Sequence, residues 1–281
     1  AVQRNDYGKA SFEPRRWLFV GSEAALLEVR CGIADYSHEN EFFRFFAREL
    51  KAFFDSRELE GILLGMPTCL VMDALQIDAL LVTDSMIVII DFKDYEGILA
   101  LPDENDFYRG AWLTNEGIRV KGGSSPNPYS QLSKQRGKLK GILERSCRND
   151  LGFFDVRHVK TMVCFSSNMD FENRVPRSYS RTFSVTDRRS FLEAIYDAVN
   201  VNRLGAGLLN TRFREDLGKL FRAEEYDCTI PTSSLDTEAS KIQDTATIQY
   251  GDTGEDLANA IEAFASNEND VLILTGNSDP D

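Results

Sequence analysis

The chain is poor in histidine and in paired cysteine, and each shortage excludes a class of chemistry. Its 281 residues hold two histidines, His38 and His158. That argues against a histidine-rich metal centre and against a Ser–His–Asp triad. The five cysteines, Cys31, Cys69, Cys147, Cys164 and Cys228, are odd in number and widely spaced, with no C-x-x-C pair. Neither a zinc ribbon nor a disulfide framework is expected from them. No run of eighteen apolar residues occurs, because the best candidate, 75–90, is broken by Asp78 and Asp84. A membrane span is therefore not expected. The opening AVQRNDYGKASFEPRRW lacks the apolar core of a signal peptide, and the expected setting is a reducing cytosol.

What the chain does hold is unevenly distributed. A 42% apolar and 27% charged composition suits a globular protein. The net charge of −13 comes wholly from the end: from Glu224 onward there are 14 acids and one base, Lys241. The residues before it carry 31 of each sign, so acidity is no objection to nucleic-acid binding there. Four segments follow from composition and periodicity. Residues 1–36 form an N-terminal extension with short alternating stretches. Residues 37–223 read as an α/β domain, 224–253 as an acidic linker rich in Ser, Thr and Asp, and 254–281 as the start of a further domain.

Within 37–223 the pattern alternates between helix and strand. The stretch SHENEFFRFFARELKAFFDSREL sets phenylalanines at helical spacing. GILLGMPTCLVM, QIDALLVTD and MIVIIDFKD are short, β-branched and bounded by Gly, Pro and Asp, as strands are. A polar, glycine-rich excursion over 101–128 leads to PYSQLSKQRGKLKGILERSC, a helix with Leu132, Leu139 and Leu143 on one face. VRHVKTMVCFSS and RTFSVTD give two further strands, and DRRSFLEAIYDAVNV a helix capped by Asp187.

Three charges stand among the central strands. Side chains alternate across a strand, so Asp91 and Lys93 share a face and Phe92 takes the other. A hairpin through TDSM brings Asp78 toward Asp91. Two carboxylates with water make an oxygen-only site suited to Mg²⁺ or Mn²⁺, and an adjacent ammonium serves an attacking water or a phosphate. A structural ion pair is the competing reading.

The same residues carry a resemblance. Gln76-Ile77-Asp78, Asp91-Phe92-Lys93, Gly97 and Asn127-Pro128-Tyr129-Ser130-Gln131, in this order, resemble the nuclease-related domain (NERD) family of the PD-(D/E)xK nuclease superfamily. The resemblance implies a restriction-endonuclease-like core, a central mixed sheet flanked by helices. It implies Asp78, Asp91 and a first-helix glutamate as metal ligands, Lys93 serving the nucleophile, and Gln131 starting the helix that closes the site. Glu39 fits the glutamate best and Glu41 is the reserve. The family more often has Glu where Asp91 stands. On the helix after Gln131, Lys134, Arg136, Lys138 and Lys140 are either a solvated face or a phosphate-binding one. AIEAFASNENDVLILTG, near the end, resembles the lead into the phosphate loop of superfamily one helicases, but no G-K-[ST] follows. The resulting expectation is a metal-dependent DNA nuclease without membrane contact, working with a helicase or ATPase module in bacterial DNA processing or antiviral defence, and self-associating. The alternative is a catalytically inactive nucleic-acid-binding or scaffolding domain.

Overall fold

The computed structural model describes residues 26–32, 37–69, 74–152, 154–200 and 207–229, leaving aside the side chains of 37–40. All of these fall in the first of two units into which the chain divides, 1–229 and 230–281. The architecture is α/β, a large mixed sheet flanked by helices, consistent with a nuclease-like core.

The sheet grows from its most apolar segments. After β1 (Leu27–Cys31) and helix α1 (Ser37–Arg57) come β2 (Gly61–Gly65), the short pair β3 (Thr68–Cys69) and β4 (Leu75–Gln76), then β5 (Ala79–Thr83) and β6 (Ile87–Lys93). In β2, β5 and β6 every residue except Lys93 is buried. Continuous apolar runs of this kind belong to strands covered on both faces. The turn after β5 is closed by Thr83, whose N–H donates to the Met86 carbonyl at 2.9 Å. Strands β5 and β6 then pair antiparallel with Ala79 opposite Ile90, and one further step of that register sets Asp78 opposite Asp91.

The next segment holds β7 (Gly97–Ala100), β8 (Trp112–Thr114) and β9 (Arg119–Val120), followed by helix α2 (Pro128–Ser146) and a 3₁₀ turn (Val156–His158). Then come β10 (Lys160–Phe165), β11 (Met169–Phe171), α3 (Arg177–Ser180), β12 (Phe183–Asp187), α4 (Phe191–Val199), α5 (Thr211–Phe221) and β13 (Glu224–Glu225). The large sheet has the order β12-β10-β6-β5-β2-β1-β13. Strands β6, β10 and β12 run parallel, so their carboxyl ends lie side by side.

The two faces of β6 are covered by different helices. Phe92 meets Phe42 and Phe46 of α1, edge to face at centroid distances of 4.9 and 5.2 Å, and Phe46 stacks on Phe191 of α4 at 4.7 Å. On the other face α2 buries Leu132, Leu139, Ile142 and Leu143. Its start is fixed by the N-P-x-S turn. Asn127 Oδ1 accepts from the Ser130 N–H at 2.9 Å, and Ser130 Oγ accepts from the Asn127 N–H at 3.3 Å, a capping box led by Pro128. Asn127 is fully buried and its Nδ2 also donates to the carbonyls of Phe107 and Gly110.

Several expectations change. The stretch 101–128 is not a structureless excursion: with flanking residues it forms a second sheet, β11-β7-β8-β9, around the buried Trp112. Within this stretch Gly122 is closely packed, since a side chain there would strike the Asn127 backbone. QIDALLVTD is two strands, interrupted at Ile77-Asp78. Asp187 accepts from the Ser190 N–H at 3.0 Å, while the residue preceding α4 is Ser190 itself. Helix α5 was not anticipated. The large sheet also runs past both expected domain borders, taking in β1 from the 1–36 extension and β13 from the start of the 224–253 linker. β13 pairs with β1, and Tyr226 packs on Phe43, so the apolar residues among those acids anchor the segment. Residues 230–253 of that linker and the helicase-like segment 254–281 lie outside the described residues.

Candidate active site

The break between β4 and β5 positions Asp78. The chain turns at Met66, whose φ of 45° is uncommon for a side-chain-bearing residue, and two backbone bonds then clasp the break. The Met66 N–H donates to the Asp78 carbonyl at 2.8 Å, and the Ile77 N–H to the Pro67 carbonyl at 3.4 Å. The Asp78 carboxylate is thereby delivered to β6, where its Oδ2 accepts from the Phe92 N–H at 2.7 Å.

Asp91 is the centre of the cluster and is 2% exposed. Its Oδ1 accepts from Lys93 Nζ at 2.9 Å and from Gln131 Nε2 at 3.0 Å. Its Oδ2 lies 2.8 Å from the same ammonium, an ion-pair contact, but accepts no hydrogen bond of proper geometry. The amide oxygen of Gln131 is likewise buried without a donor. Burial pushes the Asp91 carboxyl above the ordinary range, with Lys93 and Gln131 opposing that rise. Burial acts against the Lys93 ammonium too, but Asp91 and Asp78 outweigh it and hold the amine above its usual value.

Asp78, Asp91, Lys93 and Gln131 are thus assembled at one place, on the α2 face of the sheet. The ion pair is also real, so the cluster has features of both sequence readings. A divalent cation fits on donor chemistry. The available groups are oxygens, one buried carboxylate oxygen accepts no hydrogen bond, and Mg²⁺ is commonly held by one or two carboxylates with waters and substrate phosphate. Among the described residues no group of three or more His, Cys, Asp or Glu side chains gathers around a common point. Glu39 lies in α1, but its side chain is outside the described residues. That helix packs through Phe42 and Phe46 on the Phe92 face, opposite to Asp91. Glu41 is exposed and lines a cleft on the α1 side.

The basic residues of α2 are partly committed. Arg136 donates to the carbonyls of Val159 at 2.7 Å and Arg157 at 2.6 Å, tying the 3₁₀ turn to the helix. Burial, then the Arg136 charge, lowers the Lys140 amine. Lys134 and Lys138 are exposed, one turn apart, and reach Ser125 Oγ and the Ala74 carbonyl. Between them Gln135 donates to the Gln76 carbonyl at 3.0 Å. The edge Gln131–Lys134–Gln135–Lys138 therefore rims the cluster. Trp112 is a core residue, and Tyr129, partly buried, packs against the same aromatic group with Phe107 and Phe183.

Sequence reasoning missed the 410 Å³ cleft at the carboxyl ends of the parallel strands, lined in part by Ser166, Ser167 and Arg188. No local pattern marks those residues; they meet only because β6, β10 and β12 are neighbours. Among the described residues, no helix is long and apolar enough to cross a membrane.

No curated protein and no solved structure matches the chain. Residues 36–166, which contain Asp78, Asp91, Lys93 and Gln131, match the model of the nuclease-related domain, NERD, so this part of the chain is similar to that family and supports a nuclease-related function.

Proposed function

We propose that the protein is a metal-dependent nuclease that hydrolyses DNA phosphodiester bonds. The observation that carries this reading is the buried Asp91 carboxylate, which has one oxygen accepting no hydrogen bond and sits beside Lys93, Gln131 and Asp78. Asp78 and Asp91 would hold Mg²⁺ or Mn²⁺, and Glu39 would join them only by reaching around the strand end, because α1 packs on the opposite face of β6. When bound, such an ion polarises the phosphate and makes coordinated water more acidic. The protein's own groups do the rest. Lys93 keeps a positive charge beside Asp91 and faces developing negative charge on the phosphate. Gln131 orients Asp91 through its amide, and the capping box at Asn127 orients Gln131. Lys134 and Lys138 offer two ammonium groups one helical turn apart for backbone phosphates.

A helicase or ATPase partner, self-association, a cytoplasmic site, and a role in bacterial DNA processing or antiviral defence rest on the family resemblance and on composition. One observation favours a second reading, a catalytically inactive nucleic-acid-binding or scaffolding domain: Lys93 contacts both oxygens of Asp91, as a structural ion pair does.

Plasmid nicking with Mg²⁺, Mn²⁺ and EDTA, using wild type, Asp91→Ala and Lys93→Ala, separates the two. The nuclease reading expects cleavage with metal only, and a fall of about a hundredfold or more in each variant. Nicking that survives EDTA or both substitutions would sink it. DNA binding without cleavage under every metal would favour the scaffold.

A further inference from the structure

Three parallel strands of the large sheet end side by side, and each hands over to a polar residue at the same cleft. Strand β6 ends at Lys93 and continues to Asp94, β10 continues to Ser166 and Ser167, and β12 continues through Asp187 to Arg188. The α1 side chains Glu41, Phe42 and Phe45 form the opposite wall of this 410 Å³ space. Crevices beyond the carboxyl ends of parallel strands are where α/β sheets usually take ligands.

The groups in the cleft are not equally available. Asp94 Oδ1 accepts from the Ser166 hydroxyl at 2.6 Å, and the Ser166 N–H donates to the Lys93 carbonyl at 2.9 Å. Those bonds fix the cleft floor to the end of the strand that bears Asp91. Arg188 differs. Its guanidinium lies over the Phe45 ring, 4.0 Å from the centroid, and among the described residues it makes no ion pair and no side-chain hydrogen bond. Stacking on an aromatic face orients the guanidinium while leaving its in-plane donors free for a planar fork of acceptor oxygens. The Ser167 hydroxyl beside it has no bonded partner among the described residues either.

We propose that Arg188, with Ser167, is a phosphate-binding subsite for a nucleic-acid strand whose neighbouring phosphodiester lies at Asp91 and Lys93. The inference rests on the nuclease reading, and it adds two residues beyond the 36–166 segment that is similar to NERD. Lys93 belongs to both places: it ion-pairs with Asp91 and it also lines the cleft. The cleft on the α1 side and the Asp91 cluster on the α2 side meet at this end of β6, so a strand held by Arg188 would pass over the strand end at Lys93 to present its neighbouring phosphodiester to Asp91. Glu41, on the cleft wall, disfavours an anion without a strong counter-charge, which makes Arg188 the residue on which binding depends.

The test is fluorescence anisotropy of a short labelled single-stranded DNA oligonucleotide in EDTA, so that no cleavage intervenes. It compares the full chain with Arg188→Ala, Arg188→Lys and a Lys134→Ala/Lys138→Ala double variant, with melting curves for each. Arg188→Ala is expected to weaken binding about tenfold. It should also lower the slope of log affinity against log salt by about one phosphate contact. Arg188→Lys should restore the slope and only part of the affinity, because the charge remains and the fork is lost. Unchanged affinity and slope in Arg188→Ala, with weakening in the lysine double variant, would overturn the subsite and leave the nuclease reading intact. Wild type that does not bind the oligonucleotide would overturn the subsite, and the nuclease reading would still be decided by plasmid nicking with metal. A nucleoside monophosphate that occupies the cleft through Arg188 more tightly than the oligonucleotide would assign it to free nucleotides and overturn the strand assignment.

Discussion

Two aspartates sit at the carboxyl ends of strands in the same sheet, Asp91 near the end of β6 and Asp187 at the end of β12. Both are almost wholly buried, at 2% and 1% exposure. Their surroundings are opposite. Asp187 is saturated: its Oδ1 accepts from the Ser190 N–H and hydroxyl, and its Oδ2 from the Met169 N–H at 3.0 Å and Arg189 Nε at 2.9 Å. Burial works against its charge, but these donors more than offset it and hold the carboxyl below the ordinary range. Asp91 has two donors, both on one oxygen, and is held above that range. A buried carboxylate whose acceptors are all engaged joins β12, β11 and α4 together. One with an oxygen that accepts no hydrogen bond, and meets only the Lys93 ammonium, has capacity for a ligand.

The strongest way to break this contrast is to remove the saturated carboxylate. Asp187→Ala leaves two N–H groups, a hydroxyl and a guanidinium without their acceptor and should cost about 3 kcal/mol or more in chemical denaturation. The sign with pH follows from the lowered carboxyl. Its contribution is present above the ordinary aspartate range and is lost as the pH falls through its lower folded value. Asp187→Asn should therefore flatten part of the acid limb of a stability–pH curve. An unaltered limb would mean that Asp187 is not the titrating group.

Next in size is Lys93→Met, which leaves Asp91 buried with Gln131 alone and should destabilise the metal-free protein by about 3 kcal/mol at neutral pH. A raised folded carboxyl favours the protonated form, so this loss should shrink as the pH is lowered into that range. The double variant Asp91→Asn/Lys93→Met removes both charges and should return to within about 1 kcal/mol of wild type. It should also be inactive. A double variant as unstable as the single one would mean that the pair supports the fold as Asp187 does.

Asn127→Ala should cost about 2 kcal/mol, through the lost cap and two lost bonds to the 107–110 segment. It should lower cleavage as well, because Gln131 stands four residues into the helix that Asn127 starts. Normal cleavage in a destabilised protein would separate the cap from the site. The smallest effect is expected at Asp155. Arg157 pulls its exposed carboxyl down to about 2 by hydrogen bonds and charge. Its contribution is present above the ordinary value of 3.8 and is lost as the pH falls toward 2. Solvent screens an exposed pair, so Asp155→Asn should leave the melting temperature at neutral pH unchanged.

How much could be read in advance depends on the distance over which each feature is written. The β5–β6 hairpin, the shared face of Asp91 and Lys93, and the start of α2 are local. Apolar runs, a tight turn, strand alternation and the N-P-x-S cap each act within a few residues. The second sheet was not legible, because β7, β8 and β9 are two to four residues long and the sheet is completed by β11, which pairs with β7 from about seventy residues further along the chain. Too few residues alternate in each to make a pattern. Helix α5 was hidden by its charged exposed face, although Phe213, Leu217 and Phe221 line its buried side.

The site divides in the same way. Strand alternation picked out Asp78, Asp91 and Lys93, the family resemblance added Gln131, and the fold brings these four side chains together. Residue order could not say that Arg136 is spent on two carbonyls, that one oxygen of Asp91 accepts no hydrogen bond while both of Asp187 do, or that Arg188 reaches the same cleft as Lys93. Those facts depend on which strands become neighbours. Neighbourhood in a mixed sheet is settled by long-range burial and pairing, which no short stretch of sequence records.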